Sequence, residues 1–421
     1  MAKKVIVAGG GASGLVAAVT AAENGARVTV LEHKDRVGKK ILMTGNGKCN
    51  LTNMSDVHGK YYSSDTASLE QIYDTLVRFD ARETRKFFQR LGLYTKEKRD
   101  GGVYPVSEQA SIVLDVLRSA CNRLGVTIRT DCALTAVLPK KNGGIARVMQ
   151  EGRNAQEIAY DRLILATGGK AAPVSGSDGS GYALAKNLGH RIIEPLPALV
   201  QLRCEGGFFK ALSGVRAQGT VRLLIDGTEI AAETGELQLT DYGISGIPVF
   251  QLSRLASRAL YDGKRCEASL DFISYIFDSN ALDSNKIDSK KMENMNFFPD
   301  KTVEECLSGL VHKKIAAVVC KQNGIAAGAV IRQAGEEKVC RCIKMLSDFR
   351  VRVAAPKSFD SAQVCCGGVA LQEVDEQFMS RRCHGLYLAG ELLDCDGICG
   401  GFNLQWAWAT GHIAGEAAAR Q

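Results

Sequence analysis

The sequence predicts an α/β fold in which a parallel sheet, covered on both faces, is split by a long insertion that is first β-rich and then helical. Three observations predict it. Lys4–Ala8 ("KVIVA") is a continuous apolar run, followed at once by the glycine turn "GGGASG" and a helix of small residues. A strand apolar on both faces is the signature of a doubly covered parallel sheet. Buried-strand patterns recur far along the chain, at Arg162–Gly169 ("RLILATGG") and Gly385–Glu391 ("GLYLAGE"). Around Pro195–Pro197 the character shifts, and strand character resumes only at Phe349–Ala355 ("FRVRVAA").

The elements follow in order. The first helix, "LVAAVTAAENG", stops at Gly25, since glycine readily takes the left-handed conformation that ends helices. Arg27–Leu31 is the second strand and ends at Glu32. A basic, glycine-rich loop covers Arg36–Asn53. Ile72, Leu76 and Phe79 recur at helical spacing, which places two amphipathic helices within Ser68–Leu91. "GGVYPVS" (Gly101–Ser107) reads as a turn and an N-cap, and the next helix carries Ile112, Val113, Leu117 and Leu124 to a stop at Gly125. Val126–Thr130 is the third parallel strand. From Leu134 to Tyr160, short strands joined by "KNGG" and "EGRN" read as an antiparallel meander. A helix after "GSDGSG" ends at Gly189. Leu199–Leu239 is β-rich, with "IDGT" as a hairpin signal. Pro248–Leu260 is helical, and Thr302 with Glu305 forms a capping box in a mostly helical stretch. The expected boundaries are 1–194 with 352–421 for the sheet domain, 195–270 with 346–351 for the β-rich insertion, and 271–345 for the helical one.

With 421 residues, 45% hydrophobic and 24% charged, the chain has the balance of a soluble globular protein. No stretch reaches the roughly 18–20 apolar residues of a membrane span. The N-terminus imitates a secretory signal, but three glycines break its apolar run, and Glu23 and Asn24 stand where small residues should lead to cleavage. A cytoplasmic location is expected. The 14 cysteines show no CxxC spacing, so no metal site is expected and free thiols in a reducing compartment are. The net charge of +7 is mild; it suits a solvated basic face and could help attract an anion.

Gly9, Gly11 and Gly14 fit GxGxxG between a strand and a helix, with Glu32 at the end of the next strand. Gly9 permits the tight turn, Gly11 lets the backbone approach a pyrophosphate, and Gly14 allows close helix–strand packing. The helix N-terminus offers N–H groups and a positive dipole end. Glu32 can accept two ribose hydroxyls and disfavours a 2′-phosphate, which leaves FAD or NAD. The meander before the fourth strand, and the second glycine cluster after the last one, favour FAD and the two-dinucleotide-binding-domain type of split Rossmann-like fold. Gly390 and Glu391 then reach the middle of FAD, although this superfamily usually has Gly-Asp there. Gly400, Gly401, Phe402 and Asn403 start the last helix against the isoalloxazine, and their N–H groups can stabilise negative charge on the reduced ring.

Together "GGGASGL", "KILMTGNGKCNLTN", "GGVYPVS", "LATGG", "GELQLTDYGISG" and "GLYLAGELLDCDGICGGFNLQWAWATG" resemble the BaiN-like family of FAD-dependent oxidoreductases, over nearly the whole chain. The resemblance implies a split FAD domain, an inserted barrel-like β domain and a small helical domain. The chain departs from the family in Cys365, where Thr is usual, and in the poorly matched tract Asp278–Phe298. The cofactor-binding candidates are Gly9, Gly11, Ala12, Ser13, Gly14, Glu32, His33, Lys40, Thr44, Asn46, Gly47, Cys49, Asn50, Leu134, Thr167, Gly168, Gly390, Glu391, Gly401, Phe402 and Asn403. Within Thr44–Asn50, Asn46, Lys48 and Asn50 can hydrogen-bond the flavin or a bound carbonyl. Cys49 reads as a packing cysteine, since no second cysteine stands five residues on. Trp406 and Trp408 read as core, and His190 and His412 as structural.

No second GxGxxG follows a strand, so NADH or NADPH would enter the substrate cavity in turn, with ping-pong kinetics. The reaction implied by the resemblance is reduction of an activated C=C by a flavin hydride, for the family's named branch on a 3-oxo bile acid or related steroid. Lys48, Tyr104 and Tyr242 are the candidates for polarising a carbonyl or supplying a proton. The alternatives are an amine oxidase of the aminoacetone type, and a non-catalytic or RNA-directed flavoprotein. The expected partner is a small molecule, with no nucleic acid and no membrane span.

Overall fold

The computed structural model describes residues 2–150, 152, 154–277 and 298–420. Two compact units emerge, one of Met1–Leu196 with Ala362–Gln421 and one of Pro197–Ser361.

The first unit is built on a five-stranded parallel sheet. Its strands are β1 (Lys4–Ala8), β2 (Arg27–Leu31), β3 (Thr127–Arg129), β4 (Arg162–Leu165) and β5 (Leu386–Leu388), in the order β5-β4-β1-β2-β3. All neighbours pair in parallel, and β1 lies between β2 and β4. The chain thus winds outward from β1 in one direction and later in the other, which opens a crevice at the carboxyl end of β1. Four helices matter for the site: α1 (Ala12–Glu23), α2 (Lys39–Met43), α3 (Ala110–Arg123) and α4 (Phe402–Ala419). α1 and α4 pack through glycine. A Cβ added at Gly411 would lie 2.3 Å from the Ser13 carbonyl oxygen, and one at Gly415 would lie 2.5 Å from that of Ala17. The two backbones therefore touch where larger residues would hold them apart. α4 is buried nearly all round, as an apolar helix inside a core should be.

The meander is present as Cys132–Lys140, Gly143–Gln150 and Gln156–Tyr160. The second unit is a closed six-stranded barrel of Leu202–Cys204, Gly243–Ser245, Thr228–Thr240, Arg216–Ile225, Cys266–Asp271 and Phe349–Pro356. Its long hairpin turns at Asp226 and Gly227, both at positive φ, the geometry that an Asp-Gly turn supplies. The capping box forms at Thr302 and Glu305.

Three expectations change. The helices Val303–Ser308, Lys313–Gln322 and Glu336–Ser347 bury Leu307, Val319 and Ile343 in one core with barrel residues such as Leu237 and Val351, so they form no separate unit. Part of that expected insertion, 278–297, lies outside the described residues, as do Glu151 and Arg153 of the "EGRN" turn. The sheet unit resumes at Ala362 rather than at 352, because Phe349–Pro356 is one barrel strand, paired with Leu202–Cys204 and Cys266–Asp271. Finally, "GGVYP" is a strand, Gly102–Pro105, and α3 starts after Gln109 with no side-chain cap. Among the described residues no helix is long and apolar enough to cross a membrane.

Candidate functional site

The turn after β1 is made by its glycines. Gly9 has φ +106°, and a Cβ there would sit 2.3 Å from the Ala166 carbonyl oxygen. A Cβ at Gly14 would sit 1.9 Å from the Gly9 carbonyl oxygen, so α1 closes down on the turn. At Gly11 an added Cβ meets nothing within 4 Å: this edge faces open space. Among the described residues no side chain caps α1, and its first turn holds no acid. The N–H groups are left for an anion. Glu32 is buried; its Oε2 accepts the Gly10 N–H at 2.9 Å and its Oε1 the Lys34 N–H at 2.8 Å. Each oxygen keeps one lone pair for a diol, so Glu32 clamps the loop as well as facing the site. The His33 ring lies 3.4 Å from Glu32 and 3.6 Å from Asp178.

The second half of the site comes from the C-terminus. Gly390, at φ +75°, donates its N–H to Thr410 Oγ1 at 2.9 Å and accepts from Trp406 Nε1 at 3.2 Å. A Cβ on it would lie 2.4 Å from Ser13 Oγ, which brings the two ends of the chain together. Glu391 is held by Lys40 Nζ at 2.6 Å and by the Cys365 N–H at 3.0 Å. Two residues expected on the cofactor, Lys40 and Glu391, are thus each other's partners. The ion pair neutralises both charges, and each Glu391 oxygen keeps one lone pair on a fixed carboxylate.

α4 begins at Gly401, φ +100°, where a Cβ would strike the Thr52 carbonyl at 2.7 Å and Asn50 Oδ1 at 3.0 Å. Its first turn carries neither an acid nor a side-chain cap among the described residues. The Phe402 ring is buried edge-on against Tyr61, 5.7 Å between centroids. Asn403 staples the preceding loop: Oδ1 accepts the Gly397 N–H at 2.8 Å and Nδ2 donates to the Gly397 carbonyl at 2.8 Å. These two side chains face the protein, and only backbone N–H groups remain for a ligand. Trp408 donates to the Leu51 carbonyl at 2.8 Å, so both tryptophans pack as core while their indole N–H groups fix site loops.

The sequence reasoning missed Gln405. Its Oε1 accepts from Thr52 and Thr84 at 2.6 and 2.8 Å, and its Nε2 donates to the Phe79 carbonyl at 2.7 Å. A carboxamide flanked by apolar Leu404 and Trp406 in "NLQWAW" was the available signal. His190 and His412 are structural: His190 bridges the Ala185 carbonyl and Ser380, and His412 stacks on Phe79 beside Thr20.

The loop after α2 is left-handed at Gly45, Asn46, Gly47 and Cys49. Thr44 donates its hydroxyl to the Ile41 carbonyl at 2.6 Å and keeps its lone pairs as acceptors. Asn46 and Gly47 are exposed. Cys49 is buried, and burial pushes its thiol up to about 11, so it is an inert thiol at neutral pH. Lys48 is exposed and paired with Glu108 at 2.8 Å rather than aimed at a carbonyl. Glu108 is held down to about 2 by Lys48 first and then Lys96. Tyr104 lies against the same loop, 3.7 Å from where a Gly45 Cβ would be, with its phenol raised mainly by burial. Tyr242 belongs to the second unit, under the Lys357 ammonium at 4.5 Å. Leu134 packs partly buried on the first unit's core, at a bulge in its strand.

Does this site fit FAD? Four buried side-chain polar atoms among the described residues have no hydrogen-bond partner: His33 Nε2, Asn50 Oδ1, Thr167 Oγ1 and Gln201 Oε1. The first three belong to the residues singled out for FAD, and all lie in the first unit. Such atoms are costly unless a ligand or water pairs them. Together with two uncapped helix ends and the open edge at Gly11, they fit a long, polar, anionic dinucleotide. Gly168, at φ +76°, continues the same rim after β4.

Fold and site define a Rossmann-type FAD-dependent oxidoreductase. The chain belongs to the HI0933-like family: the HI0933-like protein Rossmann domain matches residues 3–417. It is 41% identical over 424 residues to the 3-dehydro-bile acid delta(4,6)-reductase of Clostridium scindens, covering 99% of each chain. It is 26% identical over 406 residues to the ribosomal RNA dihydrouridine synthase of Escherichia coli K12, covering 96% of this chain and 95% of that one. Among solved structures, 3-ketosteroid-delta4-(5alpha)-dehydrogenase of Rhodococcus jostii shares the fold, with a TM-score of 0.50, 15% identity, and coverage of 100% of this chain and 97% of that one.

Proposed function

We propose that this protein uses NADH or NADPH to reduce a C=C bond conjugated to a carbonyl in a small molecule, with a 3-oxo-4,6-diene steroid of the bile-acid kind as the leading substrate, in the cytoplasm. The observation that carries this reading is the end-to-end likeness at 41% identity to a reductase named for that bond. FAD, when bound, would supply the hydride chemistry. Gly9, Gly11 and the N-terminus of α1 would hold its pyrophosphate, Glu32 its ribose diol, and the N–H groups of Phe402 and Asn403 the electron-rich edge of its ring. Asn50 and Thr167 would satisfy their buried oxygens on the same group.

The test is anaerobic mixing of the yellow protein with NADH or NADPH, followed by the diene. Bleaching by the nucleotide and recovery of colour on adding the diene are expected. Bleaching by an amine instead, with peroxide formed in air, would move the assignment to the oxidase; a colourless protein that takes up no FAD would remove both.

A second reading is favoured by one observation. The relative at 26% identity is named for making dihydrouridine, a uracil whose conjugated ring C=C has been saturated. The chemistry is the same and the substrate is RNA. Dihydrouridine formed in a ribosomal RNA transcript, with no turnover of the diene, would select it.

A further inference from the structure

Lys48, Lys96 and Lys98 come from two separate segments and converge on one carboxylate. Their ammonium groups lie 2.8, 2.9 and 3.7 Å from Glu108. One carboxylate neutralises one ammonium, so the group keeps two surplus positive charges. The acids alongside cancel only part of this: Glu97 faces Arg85 at 3.7 Å, while Asp100, which accepts the Gly102 N–H at 3.2 Å, keeps its charge near Tyr104 and offsets one of the two. Like charges packed this closely repel, so an anion beside them is favoured. The cluster adjoins the site. The Lys98 ammonium lies 4.1 Å over the Tyr104 ring, Tyr104 packs on the loop that holds Gly45 and Asn50, and Asn50 Oδ1 would lie 3.0 Å from a Cβ at Gly401, just before α4.

We propose that the Lys48, Lys96 and Lys98 cluster binds an oxyanion, a carboxylate or phosphate, carried by the small-molecule substrate at the end remote from its reducible bond. This rests on the reductase reading above. Glu108 is then a gatekeeper: it holds the three side chains in place and must share them when the oxyanion arrives. The sum of charge at the cluster makes recognition electrostatic, hence salt-dependent.

The experiment compares a 3-oxo-4,6-diene steroid bearing a side-chain carboxylate with its methyl ester. KM is measured with each, and binding to the oxidised holoprotein is followed through the flavin spectrum without turnover. Wild-type protein should prefer the acid, less so at high salt. Lys96→Ala/Lys98→Ala should raise the KM and Kd of the acid about five- to tenfold and carry the acid-to-ester ratio towards one. Glu108→Gln should move the acid the other way, to tighter binding, which a merely structural role would not do. FAD content reports that both variants fold.

An unchanged acid-to-ester ratio overturns the proposal. So does a variant whose NADPH-to-NADH preference shifts while the acid does not, since the lysines would then serve the donor's phosphate. Loss of ribosomal RNA retention with acid binding intact overturns it in favour of a polyanion. Preference for the acid without any reduction of the diene keeps the site and removes the reductase reading; reduction without preference does the reverse; binding of neither removes both.

Discussion

The turn before α1 is shaped by its own glycines, whereas the turn before α4 is shaped by side chains of α4, one of which reaches distant parts of the chain. Gly9 and Gly14 set the first by close backbone approach, Gly9 to Ala166 and Gly14 to Gly9. The second depends on Thr410 and Trp406 for Gly390, on Asn403 for Gly397, and on Gln405 for the strand at Thr52 and the chain at Phe79. Both turns end at an uncapped helix N-terminus. A backbone-built turn fails when a single methyl group is added; a side-chain-built one fails in steps, as its buried hydrogen bonds are removed.

The sharpest test of that difference is Gly9→Ala against Gly11→Ala. Alanine at Gly9 must tolerate φ +106° and a carbonyl oxygen at 2.3 Å, which should cost about 3 kcal/mol or more. At Gly11, φ is −82° and nothing lies within 4 Å, so stability should move by less than about 0.5 kcal/mol. The new methyl would still occupy the approach to the pyrophosphate and weaken FAD about tenfold or more. Apoprotein melts and a fluorimetric FAD titration separate the two effects. A Gly9→Ala protein as stable as wild type would break the comparison.

Next in size is Gln405→Leu. It leaves two threonine hydroxyls and a carbonyl without their buried partner, at a cost of about 3 kcal/mol. Denaturant unfolding reads it. A loss under about 0.5 kcal/mol would show that the second turn does not rest on this network.

How much of this was legible follows the same division. The strands at 4–8 and 27–31 stand as read, because an apolar run bounded by glycine or an acid is a local signal. Gly9, Gly11 and Gly14 are one motif and needed no partner to be recognised. The ties of Lys40 to Glu391, across 351 residues, and of Gln405 to Thr52, across 353, have no local signature. The helical reading of 271–345 did not show that the barrel's core would receive Lys313–Gln322. "FRVRVAAP" alternates as a half-buried strand should, and only its pairing shows which unit owns it.

Glu391→Gln sharpens the comparison at the point where the two turns meet. The amide keeps an acceptor for the Cys365 N–H but leaves the Lys40 ammonium unpaired, which should cost about 1–2 kcal/mol. Lys40→Met in the same chain should recover part of it, and a double-mutant cycle measures how much. A coupling below about 0.3 kcal/mol would mean that the pair is incidental to the site.

The smallest effect at neutral pH concerns Cys49, in the loop that packs against the second turn at Gly401. Its thiol rises from an ordinary value of about 9 to about 11 because burial penalises the thiolate. A raised pKa in the folded state means that the neutral thiol is the form the fold favours. Its contribution is therefore complete below about pH 9, where folded and unfolded chains are both protonated, and is lost as pH rises from there through about 11. Native protein at pH 8 should leave Cys49 unlabelled by a thiol reagent while the partly exposed Cys399 reacts, and unfolding should expose it. Mass spectrometry of the labelled peptides distinguishes the two. Prompt labelling of Cys49 in the folded protein would mean that this loop opens on its own, so that it is held by its neighbours and not by its left-handed backbone.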